Sequence, residues 1–390
     1  MEFETGKKIR EYIENRQSEM STFLERLVKM ETPSENAKSQ EQVFDFFREQ
    51  FNSLGYASFR MPGRKTGGYF VARPEKRRKG RPVQLLVGHC DTVWPVGTLK
   101  TMPLAQSGGT LKGPGAYDMK AGLTQIFFSL SAIQHLKLDL STDPVVFINA
   151  DEEIGSREST TALTRLSKVA DRAYILEPPL GLKGKLKTAR KGLGRFTLKV
   201  EGKAAHAGLN PEKGVNAIVE LSYQIQRLFD MNNPERGISV NVGMIEGGMA
   251  ANVVAPSSKA IIDVRVLSMT DADHISRQIK NLKPSREGIK LLVEGGFGRL
   301  PMERTTKNRK LWELAQQTGR QIGLQLEEST AGGGSDGNTT SLYTATLDGL
   351  GAVGDGAHAA HEFVFLDKMI DRTSLLTLLL LLPPISKMTD

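Results

Sequence analysis

The chain has one cysteine, Cys90, in 390 residues, so no internal disulfide can form. That fits a reducing compartment, although exported bacterial proteins also lack disulfides. Nor is there an apolar run approaching the ~20 residues a membrane helix needs. The most apolar stretch, Leu375-Leu376-Thr377-Leu378-Leu379-Leu380-Leu381-Leu382, falls well short and reads as a buried terminal helix. The opening residues MEFETGKKIREYIENRQSEM lack the apolar core of a signal peptide, so a cytoplasmic location with no membrane partner is expected. Internal repeats and low-complexity linkers are missing as well. Positive charge is not scarce: the net charge is +8, and Lys76-Arg77-Arg78-Lys79-Gly80-Arg81 is a compact basic cluster. The cluster holds no aromatic and lies between strand-like segments, the pattern of a solvated loop, so no nucleic-acid partner is expected. Attraction of anionic small molecules stays open.

With 39% hydrophobic residues the chain can bury substantial cores, and its length suggests two domains or one domain with a large insertion. Strand-like and helix-like patterns alternate from the start, which predicts an α/β domain. Residues 82–87, 145–149 and 173–176 read as buried strands, with a helix over 121–136 between the first two. Beyond about residue 187 the texture changes. Gly194-Arg195-Phe196-Thr197-Leu198-Lys199-Val200 alternates polar and apolar residues, as a strand with one wet face does. Val215, Ile218, Leu221, Ile225 and Leu228 then mark a helix, followed by strands near 237–246 and 258–268 and a helix near 271–283. This is a small α+β module, after which the chain rejoins the first domain past Gly295-Gly296-Phe297-Gly298-Arg299.

The acids and histidines follow the strands. Along an extended chain alternate side chains share a face, so His89 and Asp91 point one way and Cys90 the other. Asp118 sits in Gly113-Pro114-Gly115-Ala116-Tyr117-Asp118-Met119-Lys120, a turn opening a helix. Asp151-Glu152-Glu153 follows the second strand and Glu177 the third. Taken singly, each has a plain reading: Asp118 as a helix cap, Glu177 as a solvated strand end, His89 as a satisfied polar residue. Together they fall at one edge of a sheet, where open α/β folds place their sites. Carboxylates and imidazoles in one crevice are costly unless a cation sits among them, and nitrogen and oxygen donors without thiolate suit zinc, cobalt or manganese.

His-x-Asp after an apolar strand, Gly-Pro-Gly-x-x-Asp-Met-Lys-x-Gly, Asp-Glu-Glu-Ile-Gly-Ser and the C-terminal Gly-x-Gly-x-His-x-x-x-Glu resemble, in order and spacing, the M20 family of di-zinc metallopeptidases. The likeness is closest to its glutamate carboxypeptidase branch, the carboxypeptidase G2-like enzymes, and runs from about residue 20 to 385. It implies an α/β fold in which residues 1–187 and 300–390 form a three-layer αβα catalytic domain with a mixed sheet. Residues 188–299 would form an inserted α+β lid and dimerisation domain, making a homodimer through the lid. It implies two divalent metal ions, zinc first, with cobalt or manganese as alternatives. His89 and Glu177 would hold one ion, Glu153 and His358 the other, and Asp118 would bridge them. Asp91 would orient the His89 ring. Glu152 would be the general base for a water shared by the two cations. Ala357-His358-Ala359-Ala360-His361-Glu362 offers two histidines. His358 is preferred over His361 because it stands four residues before the acid the pattern expects. Cys90 then reads as a buried small hydrophobe without a catalytic role.

Lys203-Ala204-Ala205-His206-Ala207-Gly208 matches the family's Ala-x-His-Ala/Ser-Gly signature. As a bare Gly/Ala-rich loop it would be ordinary surface; within the resemblance His206 reaches across a dimer interface to hold the oxyanion. Within the resemblance Asn252 and Arg265 match substrate-contacting positions, and Arg265 and Arg299 together could grip a free carboxylate. Gly333 lies in Ala331-Gly332-Gly333-Gly334-Ser335-Asp336, which resembles a loop beside the substrate and lacks the lysine of a P-loop. The expected activity is hydrolysis of an amide in a small molecule or short peptide, releasing a C-terminal amino acid with a free carboxylate, glutamate being one option. An N-acyl amino-acid deacylase, such as a deacetylase or desuccinylase, is the near alternative. A non-catalytic binding protein is a more distant one, against which the full ligand set and Glu152 count.

Overall fold

The computed structural model describes residues 3–77 and 79–385. It divides into two compact units, one of residues 1–188, 304–330 and 335–390, the other of residues 189–303 and 331–334. The second unit thus takes in 300–303 and 331–334, which the sequence reading left with the first.

The first unit is built on a six-stranded sheet in the order Tyr56–Met61, Tyr69–Pro74, Asp143–Asn149, Val83–His89, Ala170–Ile175, Ala345–Leu347. The first two strands pair antiparallel and the last four run parallel, so the sheet is mixed. Every residue of Val83–His89 and of Asp143–Asn149 is buried, which explains why both read as continuous apolar runs rather than alternating ones. Their side chains divide by parity. Val83, Leu85, Val87, Val145, Phe147, Ala173 and Ile175 pack with Leu163 of helix Thr160–Ser167. Leu86, Val146, Ile148 and Tyr174 face the other way, into a larger core with helices Ala121–His135 and Leu366–Leu381. These are the three layers. The Leu-rich C-terminal stretch is a buried helix, and no described helix is long and apolar enough to cross a membrane.

A small four-stranded sheet, Gly354–Asp355, Phe363–Phe365, Thr110–Lys112 and Ala105–Ser107, was not foreseen. It matters because its first two strands pair antiparallel and flank the loop that carries His358. Of the basic cluster 76–81, Arg78 lies outside the described residues. Arg77 pairs with Asp143 at 3.1 Å and Arg81 with Asp143 at 3.7 Å, so part of its charge is neutralised within the fold.

The second unit holds a four-stranded antiparallel sheet ordered Ser239–Gly247, Ser257–Val266, Gly192–Glu201, Lys290–Arg299. Phe196, Leu198, Val200, Ile262 and Val264 pack on one face with Leu221 and Leu228 of helix Ala217–Phe229 and Ile275 and Ile279 of helix Met269–Lys280. The opposite face is wet, with Lys199 paired to Glu294 at 2.8 Å and Lys290 to Glu201 at 3.0 Å. Asn216 caps the first helix, accepting from the N–H groups of Ile218 and Val219. Residues 290–299, inside the span assigned to the inserted domain but not read as a strand from sequence, form the fourth strand.

Candidate metal centre

His89 closes its strand, Glu177 follows the neighbouring parallel strand, and Glu152 and Glu153 follow the strand on the other side. Parallel pairing therefore brings three chain segments out at one edge. The Asp118 turn reaches the same edge by close backbone packing. Gly115 has a φ of +71°, and a Cβ there would lie 2.5 Å from Thr92 Cγ2. A Cβ on Gly122 would meet the Leu176 carbonyl oxygen at 2.1 Å, so only glycine lets the helix approach the strand end this closely. Asp118 makes no helix cap; its own backbone leaves helical angles, at φ −113° and ψ 96°.

The ring of His89 is 1% exposed and held from both sides. Nδ1 donates to the Asp91 carbonyl oxygen at 3.0 Å, leaving Nε2 turned to Asp118 Oδ1 at 3.3 Å and Glu177 Oε1 at 3.4 Å. The Asp91 carboxylate lies 3.4 Å from Nδ1 but is engaged mainly elsewhere. It accepts from Ser34 Oγ at 2.7 Å, from the Glu152 N–H at 3.2 Å and from the Glu153 N–H at 3.1 Å. Asp91 thus sets the turn carrying both glutamates as well as the imidazole, and Ser34, unsuspected from sequence, helps hold it.

His358 arrives from the far end of the chain on the loop between Gly354–Asp355 and Phe363–Phe365, with a φ of +61°. Its Nε2 lies 3.1 Å from Glu153 Oε2 and 3.5 Å from Asp118 Oδ2. His361 makes no ion pair among the described residues and packs over Gly356. Donor atoms of His89, Asp118 and Glu153 all fall within 4.8 Å of one another, as do those of His89, Glu152 and Glu177. Glu152 is therefore within reach of the same centre. Cys90 is fully buried in the main core, and burial pushes its thiol well up, away from nucleophilic reactivity.

The electrostatics fit a cation. Burial pushes the Glu153 carboxyl up to about 7, against the opposing hydrogen bond from His358. His358 is itself raised to about 9, chiefly by Glu153 and, after a lesser opposing effect of burial, by the charge of Asp118. Burial alone would lower His89, yet Asp118, Asp91 and Glu177 outweigh it and hold the ring well above its ordinary value. Without a metal the acids are balanced largely by protonating the imidazoles. A divalent ion does the same with neutral rings, whose lone pairs become ligands. The observation specific to this site is Glu153 Oε1, a buried carboxylate oxygen with no hydrogen-bond partner among the described residues. An all nitrogen-and-oxygen donor set that includes an orphaned carboxylate oxygen suits a divalent cation.

The remaining predicted residues belong to the second unit. His206 lies in an exposed loop zipped to the segment carrying Asn252: the Ala207 N–H donates to the Asn252 carbonyl at 2.9 Å, and the Val254 N–H to Ala205 at 2.9 Å. Its Nδ1 accepts from the N–H groups of Gly208 and Leu209, both at 3.1 Å, so a neutral ring carries its proton on Nε2. Arg265 is forked onto Asp263 at 2.7 and 3.1 Å, which sets a competitor beside any substrate carboxylate. Arg299 is buried, its Cδ against Gly334. The exposed Gly333 has its carbonyl held by Arg190 Nη1 at 3.0 Å, and Gly334 by the same atom at 2.9 Å. Arg190 was missed because its partners lie far along the chain. Asp336 points inward and accepts from Asn149 Nδ2 at 2.7 Å and Ser156 Oγ at 2.6 Å, bracing the turn below Glu152.

Residues 188–284 match the peptidase dimerisation domain of the M20 family. The chain is 29% identical to carboxypeptidase G2 of Pseudomonas sp. (strain RS-16), covering 86% of this chain and 82% of that protein. It is 26% identical to succinyl-diaminopimelate desuccinylase of Sulfurimonas denitrificans, over 65% of this chain and 71% of the relative. Among solved structures, the M20 family metallo-carboxypeptidase Sso-CP2 from Sulfolobus solfataricus superposes with a TM-score of 0.71 at 16% identity, covering 94% of this chain and 99% of that one.

Proposed function

We propose that this chain is an M20-type metallopeptidase, a di-metal amide hydrolase releasing an amino acid with a free carboxylate. The observation that carries the reading is the convergence of His89, Asp118, Glu153, Glu177 and His358, with Glu152 beside them and the orphaned Oε1 of Glu153 among their donors. His89 and Glu177 would hold one ion, Glu153 and His358 the other, and Asp118 both. When bound, the ions acidify the attacking water and polarise the scissile carbonyl. The protein's own part is proton handling and positioning. A Glu152 carboxylate oxygen takes the proton from water and returns it to the leaving amine. Asp91 keeps His89 and the Glu152–Glu153 turn in register, and His206 Nε2–H donates to the developing oxyanion. Arg265 and Arg299 supply guanidinium groups for the product's carboxylate. A homodimer through the second unit is supported by exposed Met244 and Ile245 on its edge strand and Ile218 and Phe229 on its helix, apolar surface of the kind assemblies cover.

Metal content tests the centre directly. Dialysed protein should carry close to two zinc, cobalt or manganese ions per chain by elemental analysis, and Asp118→Ala should lose most of both, because one carboxylate serves both ions. An Asp118→Ala protein with full metal and activity would remove the di-metal reading. For the substrate, a panel of dipeptides, folyl-glutamate analogues and N-acyl amino acids separates carboxypeptidase from deacylase. The carboxypeptidase reading expects dipeptides or folyl-glutamates to give the higher kcat/KM. The desuccinylase relative supports the alternative, and a clear preference for N-acetyl or N-succinyl amino acids would establish it.

A further inference from the structure

Glu362 is fully buried and makes no ion pair among the described residues, an unusual setting for a carboxylate. Its partners are all N–H donors. Oε1 accepts from the backbone of Tyr117 at 2.9 Å and Asp118 at 3.0 Å; Oε2 accepts from the backbone of Gly115 at 2.9 Å and from Trp94 Nε1 at 2.9 Å. The Glu362 carbonyl also receives the Gly113 N–H at 3.2 Å. Three backbone donors of the Asp118 turn, at residues 115, 117 and 118, are therefore gathered by one side chain of the His358 loop. Pairing of Phe363–Phe365 with Thr110–Lys112 brings the two segments together, but these strands are only three residues long, and it is Glu362 that holds the turn following Thr110–Lys112. A carboxylate, which only accepts, suits this cradle as no amide can.

We propose that Glu362 is a positioning residue that clamps the Asp118 turn to the His358 loop, fixing the separation of two metal-binding side chains. The inference rests on the metal reading of the site. Glu362 touches neither substrate nor reacting atoms; it acts through Asp118 and His358. Glu362→Gln keeps the volume but turns an NH2 toward two N–H donors, so the turn and the loop lose their common anchor.

The test compares wild type and Glu362→Gln, each stripped with chelator and titrated with zinc well below the unfolding temperature of both. Glu362→Gln should bind zinc ~10–100-fold more weakly, the range for outer partners of metal ligands, and at saturating zinc should lose kcat more than KM. A folded variant binding both ions within about twofold of wild type overturns the clamp, even if its apo Tm falls, because that result means only a structural role. Should Glu362→Gln fail to fold, Trp94→Phe decides, since it removes one donor and leaves the carboxylate. It should weaken zinc roughly threefold or more, and unchanged affinity overturns the proposal. A wild type that binds no zinc sinks the metal reading together with the clamp, whereas normal wild-type binding retained in the variants sinks the clamp alone.

Discussion

Glu152→Gln should turn over substrate roughly 10²–10⁴ times more slowly than wild type while holding near-normal metal. Glutamine preserves size and hydrogen bonding but cannot take a proton, so the variant isolates the acid–base step. The backbone position should survive, because Asp91 Oδ1 holds the Glu152 N–H at 3.2 Å and Oδ2 the Glu153 N–H at 3.1 Å, whatever the Glu152 side chain does. The neighbouring Glu153 therefore stays in place. Elemental analysis must accompany the kinetics, since a Glu152 oxygen lies within 4.8 Å of ligand atoms of His89 and Glu177. Metal lost together with activity would make Glu152 a ligand rather than the base. Turnover above roughly a tenth of wild type with full metal would show that the proton goes elsewhere.

The parts of the site legible in the sequence were those written locally. Val83–His89 and Asp143–Asn149 are buried on both faces, so their composition marks them as interior strands, and the polar residues after them had to emerge at a common edge. The glycines at 115 and 122 carried a second signal, close backbone approach, which the packing explains. What could not be read depends on distant partners or on very short elements. Gly354–Asp355 and Phe363–Phe365 are too short to show a period of two, so the hairpin that delivers His358 was invisible. In Lys290–Arg299, Gly295, Gly296 and Gly298 interrupt the side-chain alternation, and no strand was read there. The attachment of 331–334 to the second unit, where Arg190 grips the carbonyls of Gly333 and Gly334, is likewise set by three-dimensional contact. Glu362 was visible as a letter in a pattern, but its role lies in donors some 245 residues earlier.

His206→Ala should lower turnover by roughly 10²–10³ while leaving metal binding intact, because an oxyanion donor matters mainly in the transition state. His206 falls within the span that matches a peptidase dimerisation domain, in an exposed loop whose backbone fixes Nδ1 as acceptor and leaves Nε2–H free to donate. The family resemblance assigns that donor to the partner subunit's active site, and this makes a demand that no cis-acting residue meets. His206→Ala and Glu152→Gln homodimers should each be nearly inactive. Unfolded and refolded together, they should form heterodimers in which one site lacks both groups and the other has a normal Glu152 and a normal His206. At equal mixing about half the dimers are mixed and each carries one intact site of two, so activity should return to roughly a quarter of wild type if subunits assort at random. Mass analysis must show the heterodimer. If it forms and the mixture stays inactive, His206 serves its own subunit or does not touch the reacting carbonyl.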